Sequence, residues 1–92
     1  MILNELEQVL QTRRSADPAE SYTARLLQDR VLNQRKIMEE AFEVCLELNH
    51  AEVDTGRTAE EAADLIYHLM VGLAGAGVGL DQVFEVLEGR RK

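Results

Sequence analysis

The sequence predicts an all-α protein, a compact bundle of about five helices built around two long core helices. Apolar residues recur at helical spacing through most of the 92 residues. No segment alternates apolar and polar residues with the period of two that a half-buried strand shows, and no Asn-Gly or Asp-Gly hairpin signal occurs. With one proline and no composition shift along the chain, we expect a single all-α domain over residues 1–92.

Polar clusters divide the chain into the individual helices. Apolar residues on one face of residues 1–13 predict the first helix, and the Ser-Ala-Asp-Pro cluster at 15–18 ends it. Ser21 is suited to cap a short second helix. The third, fourth and fifth helices are predicted at about 29–50, 58–76 and 81–87, with a polar loop between the two long ones.

The charge balance restricts the partners that this protein can have. Seventeen acidic side chains stand against ten basic ones, a net charge of −7, which argues against nucleic acid or anionic lipid as a partner. The apolar stretch at 62–80 contains Asp64 and His68, so we interpret it as a core helix and not as a membrane span. The single Cys45 and the lack of a signal-peptide pattern predict a cytoplasmic protein. So short a chain buries only roughly 60–65% of its unfolded surface, which favours a homo-oligomer.

An acidic stripe runs along the predicted third helix. Like charges one turn apart cost a few tenths of a kcal/mol per pair, and Lys36 neutralises only one of them. A solvated helix face is the ordinary interpretation of such a stripe. Its acidic members are Glu39, Glu40, Glu43 and Glu47.

The fourth helix adds a second polar set in an unusual setting. Glu61, Asp64 and His68 fall within one sector of about 60°, next to an almost entirely apolar stretch. A carboxylate buried there costs several kcal/mol unless a cation or hydrogen-bond donors meet it. Simpler interpretations exist: Arg57 as the partner of Asp64, an Asp64 that is exposed at the rim of a groove, a capping box from Thr58 to Glu61, and His68 as an ordinary core residue.

The two carboxylate pairs predict a metal centre. Glu40 and Glu43 share a face at i,i+3, and so do Glu61 and Asp64. If the two long helices pack antiparallel, as a short connection favours, all four converge. Carboxylates without paired thiols suit Mg²⁺, with Mn²⁺ as a possible substitute. A di-iron bundle would need Glu-x-x-His on two helices, whereas only one such spacing occurs, at a helix end.

These motifs resemble a known family. Residues 35–44, RKIMEEAFEV, and 60–69, EEAADLIYHL, are similar to the phosphoribosyl-ATP pyrophosphohydrolases of histidine biosynthesis, within the MazG-type all-α nucleotide pyrophosphohydrolases. Residues 21–27 and 79–83 resemble the same family, and the resemblance covers about residues 1–88. Two departures stand out: Met38 occupies a position where relatives often have Gly, and we expect it to face the core, while the loop at 52–57 is longer than usual.

The resemblance implies an activity and a set of metal ligands. The implied reaction is Mg²⁺-dependent hydrolysis of N1-(5-phosphoribosyl)-ATP to phosphoribosyl-AMP and pyrophosphate by a helical homodimer. Glu39 is the candidate that orients or deprotonates the attacking water, and Glu40 is the competing one. The implied metal ligands are Glu40, Glu43, Glu61 and Asp64.

The resemblance also implies a set of substrate contacts. Cationic side chains would face the phosphates, and hydroxyls at the start of the second helix would meet a phosphate or ribose. Each contact has a simpler alternative as a surface ion pair, a helix cap or a core residue, and surface pairing is favoured for Arg57. The set comprises Lys36, Arg35, Arg25, Ser21, Tyr22, Thr23 and His68.

Two other functions fit the same residues. A MazG-like enzyme that clears non-standard or deoxynucleoside triphosphates would use the same carboxylates. A non-catalytic acidic helical dimer that binds a partner protein would need none of them as ligands.

Overall fold

The computed structural model describes residues 1–91, which form five α-helices and no strand. A 3₁₀ turn at Arg13–Ser15 follows the first helix. The helices are α1 (Ile2–Thr12), α2 (Tyr22–Gln28), α3 (Arg30–Leu48), α4 (Thr55–Ala76) and α5 (Leu80–Gly89). The predicted all-α fold with two long core helices is confirmed, while its completion by a second copy stays a prediction.

The helices α3 and α4 form the central hairpin, and an aspartate caps each of them. Asp29 accepts a hydrogen bond from the Leu32 amide at 3.1 Å, and Asp54 accepts one from the Arg57 amide at 3.0 Å. Because Asp54 caps α4, that helix begins three residues before the predicted start at 58. The predicted capping box is therefore wrong: Thr58 lies inside the helix and its hydroxyl donates to the Asp54 carbonyl at 2.7 Å.

A side chain of α1 forms a hydrogen bond with the connection between α4 and α5. Gly77 ends α4 in the left-handed conformation at φ 75°, which glycine adopts without steric cost. Gly79 has no side chain with which to cap α5, so the Glu7 carboxylate accepts the Leu80 amide instead, at 2.9 Å. The first helix and the last one are thus joined at a helix N-terminus, where a negative charge is favourable.

The aliphatic core lies where α1 and α2 pack on the second half of α4. Every buried residue of α4 lies between His68 and Ala74. Leu10, Leu26 and Val71 are the largest fully buried side chains. The turns of α4 that precede His68 belong to the hairpin with α3, and they carry all the charged residues of α4.

Each long helix also presents apolar side chains to the outside. Met38 is 65% exposed and Phe42 is 64% exposed on α3, and Ile66 and Leu69 are exposed on α4. The expectation that Met38 faces the core is therefore wrong: it lies on the outer side of α3, one turn before Phe42. Among residues 1–91, no single helix is long and apolar enough to cross a membrane, and α4 and α5 reach that length only as a pair bent by 109°.

Candidate metal centre

Three of the four predicted ligands meet where the end of α3 lies beside the start of α4. Glu40, Glu43 and Glu61 each offer a carboxylate oxygen, and these oxygens lie within 4.8 Å of one another. The i,i+3 spacing aligns the first two on α3, and antiparallel packing brings α4 alongside. We call these three residues the carboxylate cluster.

Asp64 lies on the next turn of α4, three residues after Glu61, and is exposed. Its carboxylate is not among those within 4.8 Å of one another. Its negative charge nevertheless contributes to raising the pKa of Glu40 and of Glu61. Asp64 therefore borders the carboxylate cluster and acts on it electrostatically.

Mutual repulsion and burial shape the protonation of the cluster. Burial raises the pKa of Glu40 above its ordinary value, and the charges of Glu43 and Asp64 raise it further, while His68 opposes the shift. A hydrogen bond with Glu43 is the main cause that raises the pKa of Glu61, followed by burial and the neighbouring carboxylates. The folded chain thus holds these carboxylates in an arrangement that a proton or a cation stabilises.

The residues present fit a hard divalent cation. The Oε2 atom of Glu40 is enclosed and has no hydrogen-bond partner among the described residues. An orphaned carboxylate oxygen inside a group of three carboxylates is the donor set that Mg²⁺ or Mn²⁺ takes. No thiol or imidazole joins the group, which agrees with a cation of this hard type.

Glu39 is not a member of the carboxylate cluster. Its carboxylate lies 3.4 Å from the Lys36 ammonium in an ion pair whose side chains are 58% and 36% exposed. An exposed pair of this kind adds little stability, so either side chain can leave it at low cost. Arg35, one residue before Lys36, is exposed as well.

His68 ties α2 to the helix that carries Asp64. It is 6% exposed, its Nδ1 lies 2.8 Å from the Asp64 carbonyl, and its Nε2 lies 3.0 Å from the Tyr22 hydroxyl. A carbonyl can only accept, so Nδ1 donates the hydrogen bond, and in the neutral imidazole Nε2 accepts one from the Tyr22 hydroxyl. His68 is a buried residue with both ring nitrogens engaged, and its ring holds Tyr22 in place.

The other predicted contacts of α2 lie around this link. The hydroxyls of Thr23 and Tyr67 form a hydrogen bond between α2 and α4. The guanidinium of Arg25 lies 5.3 Å from the centre of the Tyr22 ring, within range of a cation–π interaction. Ser21 accepts a hydrogen bond from the Ala24 amide at 3.1 Å, so the predicted cap is confirmed. Hydroxyl, imidazole and guanidinium groups are therefore gathered one turn beyond Asp64.

Sequence reasoning missed the role of Asn33 and the partner of Arg57. The expected pairing of Arg57 with an acidic side chain is confirmed, but the partner is Glu47 and not Asp64. Asn33 is 3% exposed, and its side-chain amide donates a hydrogen bond to the His68 carbonyl at 3.1 Å. Its position as a polar residue on the apolar side of α3 is the signal that could have revealed this contact. Glu47, which the acidic stripe placed on a solvated face, is instead 9% exposed, and its Oε2 lies 2.9 Å from the Nε of Arg57. Glu47 lies one turn after Glu43 on α3, and Arg57 lies one turn before Glu61 on α4. Because the two helices are antiparallel, this matched spacing is the sequence signal for the pair.

Comparison with known proteins yields a consistent set of relatives. A family model described as Phosphoribosyl-ATP pyrophosphohydrolase matches residues 3–91. The chain is 46% identical over 94 residues to a phosphoribosyl-ATP pyrophosphatase of Pyrobaculum arsenaticum, covering 99% of this chain and 96% of that protein. It is 42% identical over 91 residues to one of Caulobacter vibrioides, covering 97% and 81%. A histidine biosynthesis bifunctional protein HisIE of Photobacterium profundum is 42% identical over 91 residues, which span 98% of this chain and 43% of that protein.

Proposed function

The chain belongs to the phosphoribosyl-ATP pyrophosphohydrolase family, and from this membership we propose that it hydrolyses N1-(5-phosphoribosyl)-ATP. The α–β phosphoanhydride is cleaved, and phosphoribosyl-AMP and pyrophosphate are released in an early step of histidine biosynthesis. The observation that carries the proposal is the meeting of Glu40, Glu43 and Glu61 within 4.8 Å, inside the span that matches the family.

Glu40, Glu43, Glu61 and Asp64 would hold Mg²⁺, with Mn²⁺ as a substitute. The enclosed, unpartnered oxygen of Glu40 and the raised pKa values of Glu40 and Glu61 support a cation at this point. When bound, a divalent cation would neutralise phosphate charge and polarise the anhydride. The residues contribute by fixing carboxylate oxygens before the substrate arrives, so little reorganisation is needed.

Water activation is assigned to Glu39 or Glu40. Glu40 lies in the carboxylate cluster, where it would also hold the cation. Glu39 is exposed and released from Lys36 at low cost. Glu39 is therefore the proposed group that orients or deprotonates the water, and Glu40 is the competing one.

The surface of α2 would bind the nucleotide and its second ribose phosphate. The hydroxyls of Tyr22 and Thr23 suit ribose oxygens, and Arg25 beside them suits a phosphate. Lys36, one turn before Glu40 on α3, would supply further positive charge, with the exposed Arg35 next to it in the chain. Ser21 and His68 support this surface from behind, since the first caps α2 and the second holds the Tyr22 hydroxyl.

The working form is proposed to be a homodimer in the cytoplasm. The exposed Met38 and Phe42 of α3, and Ile66 and Leu69 of α4, are large apolar side chains on the helices that carry the site. A second copy packed on such residues would remove them from water and complete a four-helix core. Sedimentation should then give twice the chain mass, and Phe42→Glu should give a monomer.

The activity is tested by following pyrophosphate release from phosphoribosyl-ATP and from ordinary and deoxynucleoside triphosphates, with and without Mg²⁺. The parent protein should prefer phosphoribosyl-ATP and require the cation. Glu40→Gln and Asp64→Asn should abolish turnover, whereas Glu85→Gln, an equal charge change on exposed α5, should not.

Other outcomes would favour the two rival functions. Equal turnover of simple nucleoside triphosphates would indicate a MazG-like house-cleaning enzyme with the same carboxylates. Release of no pyrophosphate from any nucleotide would leave a non-catalytic interaction protein.

A further inference from the structure

An ion pair extends the carboxylate cluster by one turn toward the loop between α3 and α4. Glu47 lies four residues after Glu43 on α3, and Arg57 lies four residues before Glu61 on α4. The two side chains meet across the hairpin, with Nε of Arg57 2.9 Å from Oε2 of Glu47. A cation therefore stands at the loop end of a site that is otherwise acidic.

The ion pair orients the guanidinium of Arg57 but uses only one of its N–H groups. Glu47 engages only Nε, and within residues 1–91 neither terminal nitrogen of Arg57 has a hydrogen bond or ion pair. The Arg57 side chain is 65% exposed, whereas that of Glu47 is 12% exposed. Glu47 is thus the fixed member, and four N–H groups of Arg57 remain available in a planar fork.

The fork lies in the electrostatic field of the cluster. The hydrogen bond and charge of Glu47 raise the pKa of Arg57 most, and the charge of Glu61 raises it further. One helical turn, about 5.4 Å, separates Arg57 from Glu61 along α4. A phosphate group held through a cation at the cluster would therefore extend its outer oxygens toward the fork.

The two ends of the cluster differ in what they can bind. At one end α2 offers hydroxyls, an aromatic ring and Arg25 beside His68. Such a surface fits a nucleoside and its sugars. At the other end, Arg57 presents a bare guanidinium, and such a fork binds phosphate in bidentate fashion.

We propose that Arg57, aligned by Glu47, binds the pyrophosphate half of the substrate, so that the triphosphate runs from α2 toward the loop between α3 and α4. This inference rests on the proposed function. Hydrolysis adds water across the α–β anhydride, and near neutral pH one proton is released as the two products separate. The pyrophosphate leaves with more negative charge than it carried in the substrate, and Arg57 stabilises that charge.

The test measures the binding of each product separately. Pyrophosphate and phosphoribosyl-AMP are titrated by calorimetry, in Mg²⁺, into the parent protein and into Arg57→Gln, Arg57→Lys and Glu47→Gln. Arg13→Gln, the same charge change on the exposed 3₁₀ turn, is the matched control. Thermal unfolding of each variant is recorded alongside, and KM and kcat are measured with phosphoribosyl-ATP.

We expect Arg57→Gln to weaken pyrophosphate binding by about ten- to a hundredfold, the usual size of a charge-assisted contact. Binding of phosphoribosyl-AMP should change by less than about twofold. Arg57→Lys should retain part of the affinity, because the charge stays and the fork is lost. Glu47→Gln should weaken pyrophosphate binding by a few fold through misalignment of Arg57, and Arg13→Gln should leave it unchanged.

Three results would overturn the inference while leaving the proposed function intact. Loss of thermal stability in Arg57→Gln with unchanged pyrophosphate affinity would mean that the ion pair is structural. Weakened binding of phosphoribosyl-AMP alone would mean that the substrate runs in the opposite direction. Equal losses in Arg57→Gln and Arg13→Gln would mean a general field effect. A parent protein that releases no pyrophosphate would instead overturn the proposed function, and this inference with it.

Discussion

The two ends of the hairpin between α3 and α4 are built in opposite ways. At the end away from the loop, around Asn33 and His68, the hairpin is covered by α1 and α2 and its interior is aliphatic, and the one buried side-chain atom without a partner among the described residues there is the neutral Asn33 Oδ1. From Glu40 to the loop the same two helices carry carboxylates that repel one another and an oxygen with no partner. Packing of the core therefore stabilises the fold at one end, whereas repulsion between carboxylates destabilises it at the other. Binding of a cation and a polyphosphate would offset that repulsion.

His68 marks the boundary between the two ends. Its ring is buried with the core, yet its hydrogen bonds reach the Asp64 carbonyl on one side and the Tyr22 hydroxyl on the other. The core therefore fixes the position of groups at the site. If the two ends are separable, substitutions at one end should change activity, and those at the other should change stability.

The largest effect is expected at the carboxylate cluster. Glu43→Gln removes a charge that raises the pKa values of both Glu40 and Glu61 and removes one proposed ligand. We expect kcat/KM to fall on the order of a thousandfold. Thermal stability in EDTA should be unchanged or higher, because repulsion is relieved. A large loss of stability in EDTA would show that the two ends are not separable.

The next largest effect is expected in the core. Leu26→Ala truncates one of the largest fully buried side chains, which should lower the free energy of unfolding by about 2–5 kcal/mol. Urea denaturation measures this loss. The kcat of the protein that remains folded should match the parent, and a thousandfold fall in kcat would contradict the division into two ends.

A smaller effect is expected where α1 caps α5. Glu7→Gln keeps a hydrogen-bond acceptor near the Leu80 amide but removes the negative charge at that helix N-terminus. The expected cost is about 0.5–1 kcal/mol in the free energy of unfolding. Glu52→Gln, in the exposed loop between α3 and α4, is the matched control and should cost no more than a few tenths of a kcal/mol. Equal losses in both would argue against the capping role.

The smallest effect is a pH dependence that belongs to the metal-free cluster. Folding raises the pKa of Glu40 and of Glu61 above the ordinary value of 4.5. The folded state therefore binds protons more tightly than the unfolded chain, and the contribution of these groups to stability falls as pH rises from 4.5 through the raised values. In EDTA, the contribution of the cluster to Tm should be more favourable near pH 4.5 than at pH 7.5.

Glu40→Gln isolates that contribution. The variant should lose part of the pH dependence seen in the parent, and saturating Mg²⁺ should remove the advantage of the lower pH because the cation competes with the proton. An identical pH dependence in parent and variant would show that other groups dominate.

The sequence predicted the helices, because they follow from periodicity within single segments. It predicted that four carboxylates converge if the two long helices pack antiparallel, and three of them do, while Asp64 lies one turn farther along α4. It misplaced the start of α4, since Asp54 and Thr58 are both good caps and only packing selects between them. Met38 lies within a broad apolar arc of α3, and no periodicity reveals which edge of that arc the rest of the bundle covers. The pair of Glu47 and Arg57 depends on the register between two helices, which is a tertiary property.

The bond between Glu7 and the start of α5 has a consequence for the order of folding. It joins groups 73 residues apart in the chain, whereas the hairpin of α3 and α4 closes over the short loop at 49–54. Local contacts form before distant ones, so the hairpin should assemble early and α5 should complete its first turn last. Amide exchange at Leu80 would then report the docking of α1, and the two termini of the chain would become ordered in a single late step.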